Sequence, residues 1–202
     1  MNKGGVFIIS GPSGVGKDTV LQLLFEKDPD LLFSISSITR PMREGEKEGE
    51  KYHFIPAEEF KAMIEADKLL EYNVYADNYY GTPAEPVNEA VAAGRDIIIE
   101  VDVNGAAKIR KRMPEAVSIF IMPPSVAELE HRLVLRGTET PEKIRKRMET
   151  ALVEIARASE YDYIVINEDV ETAAEQVYCV IQSLRFAADR QPNLINEVLT
   201  KC

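Results

Sequence analysis

The nine residues Gly11-Pro12-Ser13-Gly14-Val15-Gly16-Lys17-Asp18-Thr19 have the types and order needed to hold a chain of phosphates. Gly11, Gly16 and Lys17 fit the pattern G-x-x-x-x-G-K-[ST]. Glycines let backbone N–H groups turn inward around phosphate oxygens, the helix that follows adds partial positive charge at its N-terminus, and the lysine neutralises the outer phosphates. The last position breaks the pattern, because Asp18 is a carboxylate where a hydroxyl should meet a metal ion. A second negative charge costs roughly 1–4 kcal/mol at ~4 Å from a phosphate. The first turn of a helix nevertheless favours an acid. Asp18 can face solvent or hold the metal through water, and Thr19 carries a hydroxyl directly after it.

Other chemistry lies further along. Arg40 and Arg43 are three apart beside a hydroxyl-rich stretch, and guanidinium forks bind phosphate dianions bidentately. Glu100 and Asp102, two apart at the end of an apolar run, are expected to share one face of a strand. Arg132 and Arg136, four apart, share a helix face, and the turn Arg136-Gly137-Thr138-Glu139 leads to a second helix with Arg145, Lys146 and Arg147. Arg145 and Lys146 read as a solvated face. His53 and His131 lack a partner pattern and take no catalytic role.

The elements that must position these groups follow from periodicity. Val6–Ser10 reads as a buried strand ended by Gly11-Pro12, and Lys17–Glu26 as a largely buried helix. Further strands are expected at Asp96–Asp102, Ser118–Met122 and Tyr163–Ile166. Helices are expected at Pro86–Ala93, Ala106–Met113, Val126–Leu135, Glu142–Ser159 and Val170–Ala187. This alternation predicts an α/β fold, a parallel sheet covered on both faces. Between Phe33 and Thr82 the rhythm changes to short strands (Ser34–Ile38, Tyr52–Phe54, Leu70–Tyr75, Asn78–Tyr80) around one helix, Ala57–Ala66. That segment is expected to be an inserted, mostly antiparallel subdomain, with the charge run Arg40–Lys51 as a solvated turn. The tail from Asp189 has apolar residues at helical spacing, suited to a packing helix or an oligomer contact.

With 202 residues, 45% of them hydrophobic, the chain suits one ordinary domain. No apolar run approaches a membrane span, and the N-terminus lacks a signal-peptide pattern, so no membrane partner is expected. Two cysteines, Cys179 and Cys202, give neither a disulfide framework nor a zinc site, which makes a reducing cytoplasm the expected location. A net charge of −10 argues against nucleic acid as partner and leaves a small anionic substrate that meets local basic clusters.

The acceptor-side segments carry a resemblance. Ser34–Phe54 (SISSITRPMREGEKEGEKYHF), Leu69–Thr82 (LLEYNVYADNYYGT), Ile97–Ala106 (IIIEVDVNGA), Met122–Gly137 (MPPSVAELEHRLVLRG) and Tyr161–Asp169 (YDYIVINED) resemble blocks of guanylate kinases, in family order over about Val6 to Arg185. The loop also resembles those of nucleoside monophosphate kinases at large, which often read G-K-x-T. One wording departs from the family: T-T-R-x-P-R is usual, and this chain has Ile38-Thr39-Arg40-Pro41-Met42-Arg43, keeping the arginine spacing.

The resemblance implies a P-loop NTPase-type parallel core (1–33 and 83–202), an inserted GMP-binding subdomain (34–82) and a small helical lid (about 126–158). It implies transfer of the γ-phosphoryl group of ATP to GMP with Mg2+. ATP would meet Gly11 through Thr19, Arg136 and, near the adenine, Asn167; Thr19 would be the magnesium ligand. The GMP phosphate would meet Arg40, Arg43, Tyr52 and Tyr80, its base Glu71, Ser36 and Thr82, and the acids Glu100 and Asp102 would complete the acceptor site. Lys17, Arg40, Arg132, Arg136 and Arg147 would act on the transferring group. Two alternatives stand beside this reading: a non-catalytic guanylate-kinase-like binding module, against which the intact Gly16-Lys17 argues, and a kinase for another nucleoside monophosphate, against which Glu71 argues. Whether the chain is monomeric or homo-oligomeric is open at this stage.

Overall fold

The computed structural model describes residues 3–135, 140–191 and 194–200. Strand β1 (Val6–Ser10) is buried along its whole length, as an apolar β-branched run in the middle of a parallel sheet should be. It pairs on one side with β7 (Ile97–Glu100) and on the other with β8 (Val117–Met122). Beyond them lie β2 (Leu32–Phe33) and β9 (Tyr163–Ile166), giving the all-parallel order β2-β7-β1-β8-β9. The sheet thus has one strand more than the sequence pattern predicts, because two residues of β2 are too few to show a period.

Alternate residues of β1 feed two cores. Phe7 and Ile9 pack with Val20 and Leu24 of α1 (Lys17–Lys27) and Val177 and Ile181 of α7 (Val170–Arg185). Val6 and Ile8 pack on the other face with Val87 of α3 (Ala84–Ala92) and Ile109 of α4 (Val103–Arg112). These are the two covered faces that the alternation predicts. Helices α5 (Val126–Leu135) and α6 (Pro141–Ala156) follow β8. Ala158–Glu160 then forms a separate single 3-10 turn where the sequence predicts a continuous helix to Ser159.

The second sheet has the order β4-β3-β6-β5, from β3 (Ser36–Ile38), β4 (Tyr52–Phe54), β5 (Leu69–Tyr75) and β6 (Asn78–Pro83), with α2 (Ala57–Glu65) alongside. Two of its pairings are antiparallel, but β3 and β4 run parallel. The chain enters it at Ser34, whose N–H still donates to Ile98 of the first sheet at 2.8 Å. The predicted strand Ser34–Ile38 is therefore shortened: Ser36–Ile38 form β3, while Ser34 and Ile35 carry the chain across from β2. Helix α8 (Leu194–Thr200) carries exposed Leu194, Val198 and Leu199. Among the described residues, no helix is long and apolar enough to cross a membrane.

Candidate active site

A cleft of about 400 Å3 opens between the C-terminal ends of β1 and β7 and the second sheet. Open α/β sheets bind ligands at that end of the strands. Gly11, Ser13 and Lys17 line one wall; Ser36, Tyr52, Glu71 and Tyr80 line the other; Glu100 and Asp102 form the floor.

The donor wall is a tight loop. Gly16, at φ +95°, is the N-cap of α1, and a Cβ there would lie 2.7 Å from Nδ2 of Asn167. Gly11, at φ +155°, leaves a Cβ only 2.4 Å from the Ile121 carbonyl oxygen. A side chain at Gly11 would have to move the β8 backbone, and one at Gly16 would be strained at its positive φ and would displace the Asn167 amide. Lys17 Nζ donates to the Gly11 carbonyl at 2.7 Å and to Pro12 at 3.3 Å, folding the ammonium back over the loop. Burial lowers its pKa, and Glu100, Glu154 and Asp18 only partly oppose this. Asp18 and Thr19 are exposed in the first turn of α1. Asn167, buried, donates from Nδ2 to the Val15 carbonyl at 2.7 Å, tying the loop to the end of β9. Its Oδ1 has no partner among the described residues. Pro12, Gly14 and Val15 complete the turn, with Val15 N–H donating to Pro12 at 3.2 Å.

The opposite wall is built around two buried ionisable residues, Arg40 and Glu71. Arg40, buried, grips Glu46 through both Nη atoms at 2.7 and 2.6 Å and lies over the rings of Tyr52 and Phe54. The Arg40 fork, then the Arg43 backbone N–H at 2.7 Å, hold Glu46 at a pKa of about 2. An anion thus already sits on this guanidinium. The Arg43 side chain is exposed nearby. Glu71 is buried and accepts from Thr82 Oγ1 at 2.9 Å. Burial pushes its pKa up to about 7, with the Thr82 bond opposing and Asp102 adding to the rise.

Glu100 ends β7, but Asp102 does not share its strand. The strand stops at Glu100, and Asp102 is the N-cap of α4, accepting from Gly105 N–H at 2.7 Å and from Asn73 Nδ2 at 3.2 Å. The expected shared strand face is therefore corrected: a carboxylate just before a helix is worth more capping one of the four free N–H groups there than extending the ladder. Both acids still reach the cleft floor.

From the helices after β8, Arg132 pairs with Glu128 at 2.8 Å and donates to the Val15 carbonyl at 3.3 Å, while Arg147 Nη2 donates to Ser13 Oγ at 2.6 Å. Both guanidinium groups therefore touch the donor loop. Arg136 and Gly137 lie outside the described residues. Arg145 pairs with Glu149 on the exposed face of α6, as a solvated residue should.

The family model for guanylate kinase matches residues 3–184 of this chain. The chain belongs to the guanylate kinase family. The guanylate kinase of Halalkalibacterium halodurans is 49% identical over 188 residues, covering 93% of this chain and 92% of its own. That of Lactiplantibacillus plantarum is 46% identical over 189 residues, with 93% and 92% covered. A crystal structure of guanylate kinase from Anaplasma phagocytophilum superposes with a TM-score of 0.81 at 31% identity, covering 99% of this chain and 96% of that one. The parallel core is accordingly that of a P-loop NTPase, and the family is one of nucleoside monophosphate kinases.

Four residues around this guanylate kinase cleft escape the motif reading. Lys51 and Asn73 line it beside the acids, Glu154 reaches it from α6, and Glu46 occupies Arg40. Glu46 and Lys51 are hidden in a charge run whose composition suggests only a solvated turn. Asn73 has a signal in hindsight, since it stands two residues after Glu71 on the same strand face.

Proposed function

We propose that this chain transfers the γ-phosphoryl group of ATP to GMP, giving ADP and GDP, within purine nucleotide metabolism. The observation that carries this reading is the presence, in one cleft, of a phosphate-loop lysine and buried Glu71, which accepts from Thr82 behind it. Guanine offers N1–H and an exocyclic amine side by side, which one carboxylate accepts together. Adenine presents no such pair, so it would leave buried Glu71 unmatched. Ser36 and the Thr82 hydroxyl are the further contacts to the base.

Each remaining residue has a positioning or electrostatic task. The loop N–H groups and Lys17 hold the β- and γ-phosphates. Arg40, Arg43, Tyr52 and Tyr80 hold the GMP phosphate, with the Arg40 fork exchanging the Glu46 carboxylate for phosphate oxygens. Arg132 and Arg147, already on the donor loop, place positive charge where the transferring group passes, and Arg136, which lies outside the described residues, is assigned the same role from the sequence. Asn167 Oδ1 accepts from the amino group of adenine. We read 34–82 as the acceptor subdomain and 126–158 as the lid.

Among the described residues, no group of three or more His, Cys, Asp or Glu is arranged to hold a metal. The donors at hand are hard oxygens: the Thr19 hydroxyl and the carboxylates of Glu100 and Asp102. That set fits Mg2+ arriving with the nucleotide, since the ion keeps several waters and binds through one or two protein groups plus phosphates. When bound, it neutralises charge between the β- and γ-phosphates. The acidic composition and the two cysteines suit a cytoplasmic location.

The test is turnover of the purified chain with ATP and Mg2+ against GMP, AMP, CMP and UMP. GMP is expected to react at least ~100-fold faster in kcat/KM. Equal rates with AMP overturn the reading.

A further inference from the structure

Lys51 stands immediately before β4 of the acceptor sheet, yet its ammonium is spent on the other two parts of the cleft. It is ion-paired with Asp18 in the first turn of α1, and it meets Glu100 Oε2 at the end of β7 at 3.0 Å. Lys51 is thus a single side chain that joins the acceptor sheet, the donor loop helix and the cleft floor. It is near enough to Lys17 to disfavour the charge of that ammonium. Burial works against the Lys51 charge, but Glu100 and Asp18 outweigh it and hold its pKa above the ordinary lysine value.

The position of Asp18 makes this pairing consequential. A carboxylate directly after the loop lysine repels the triphosphate that the loop exists to hold. With Lys51 seated on it, the pair presents no net charge to the nucleotide, and the neutralising ammonium comes from the sheet that carries the acceptor. Resting on the kinase reading above, we propose that Lys51 is a positioning residue of the transfer. It neutralises Asp18 beside the donor loop and holds the acceptor sheet against that loop. Removing Lys51 alone leaves Asp18 and Glu100 facing the phosphates with one cation fewer. Removing Asp18 as well takes away the repulsion and most of the need for Lys51 in donor binding.

The experiment uses the full chain and four variants: Lys51→Gln, Lys51→Arg, Asp18→Ser and the double variant Asp18→Ser/Lys51→Gln. Binding of the non-hydrolysable β,γ-imido analogue of ATP with Mg2+ is titrated calorimetrically without GMP, and melting temperatures are recorded. The Lys51 side chain is 40% exposed but that of its partner Glu100 only 14%, so Lys51→Gln is expected to fold with a melting temperature lowered by at most a few degrees. Lys51→Gln is expected to weaken the analogue on the order of tenfold, about one partly screened charge pair. Lys51→Arg is expected to retain affinity, and adding Asp18→Ser to Lys51→Gln to recover most of the loss. An unchanged affinity in Lys51→Gln, or a double variant as weak as that single one, overturns the proposal. The titration needs no acceptor, so failure of GMP turnover and failure of the Lys51 role are read separately. In turnover with GMP, loss of sheet positioning is expected to lower kcat of Lys51→Gln even at saturating ATP. A kcat equal to wild type there removes the positioning half of the proposal.

Discussion

Thr82 Oγ1 donates to Glu71 Oε1 at 2.9 Å, and both side chains are buried. The fold thus holds Glu71 at a pKa of about 7, mainly through burial. A carboxyl raised in the folded state stabilises the fold fully below its unfolded value, and that contribution is lost as pH rises through about 7. Recognition of guanine needs the opposite, ionised form. The kcat/KM for GMP should therefore climb through pH 7 and flatten above it, whereas Glu71→Gln should lose at least ~100-fold and keep only the step of the GMP phosphate near pH ~6. Thermal denaturation supplies the converse: Glu71→Gln should melt higher than wild type at pH 8, and the difference should shrink as pH falls and close only near pH ~4, below the unfolded carboxyl value. A wild-type profile flat between pH 6 and 8 would show that Glu71 is ionised throughout.

Arg40 grips Glu46 with both arms of its guanidinium and lies over two aromatic rings. A lysine keeps the charge but neither the fork nor the stack. Arg40→Lys should therefore cost ~10–100-fold in kcat/KM for GMP while leaving the KM for ATP near wild type. A variant with full activity would mean that a point charge suffices at the acceptor phosphate.

Asn167 divides its amide between two tasks, with Nδ2 on the Val15 carbonyl and Oδ1 left open. Asn167→Ala should cost about 1–3 kcal/mol in stability by stranding a buried carbonyl. It should also raise the KM for ATP and narrow the preference for ATP over GTP, because adenine presents an amino donor where guanine presents an oxygen. Preference for ATP left intact alongside a lowered melting temperature would reduce Asn167 to a brace.

Thr19 and Asp18 differ in what each can offer Mg2+. With Asp18 paired to Lys51, the Thr19 hydroxyl would be the group beside the loop lysine left to meet the ion. Asp18→Ser should leave GMP turnover within about tenfold, or ~1.4 kcal/mol of barrier. Thr19→Ala should do more harm, and its activity should recover in part at raised Mg2+. Steady-state rates across a magnesium series decide the order, and the reverse order would make Asp18 the metal-site group.

Much of this was legible in the sequence, for reasons that differ by residue. The donor loop is contiguous, so Gly11, Gly16 and Lys17 declare their geometry through spacing and through the buried strand ahead of them. Glu71, Thr82 and the arginines came through resemblance of whole blocks. Lys51 could not be read this way, since Asp18 and Glu100 stand 33 and 49 residues from it and become its neighbours only when one sheet folds over the other. Asp102 was misplaced by periodicity, which records that Glu100 and Asp102 alternate with Val101 but not that the helix N–H groups claim Asp102. Arg145 and Arg147 look alike in sequence, and only packing separates the solvated one from the one that reaches Ser13.

Gly16, near the start of the chain, leaves room for Asn167, carried in after the last strand of the sheet, whose Nδ2 lies 2.7 Å from where a side chain at Gly16 would begin. The consequence is one of timing. During synthesis the first strand, loop and helix leave the ribosome long before residue 167, and over that interval the loop lacks the amide that ties Val15 in place. The brace on this loop is thus made by a late part of the chain, and a nascent fragment ending before β9 leaves the Val15 carbonyl without the Asn167 amide.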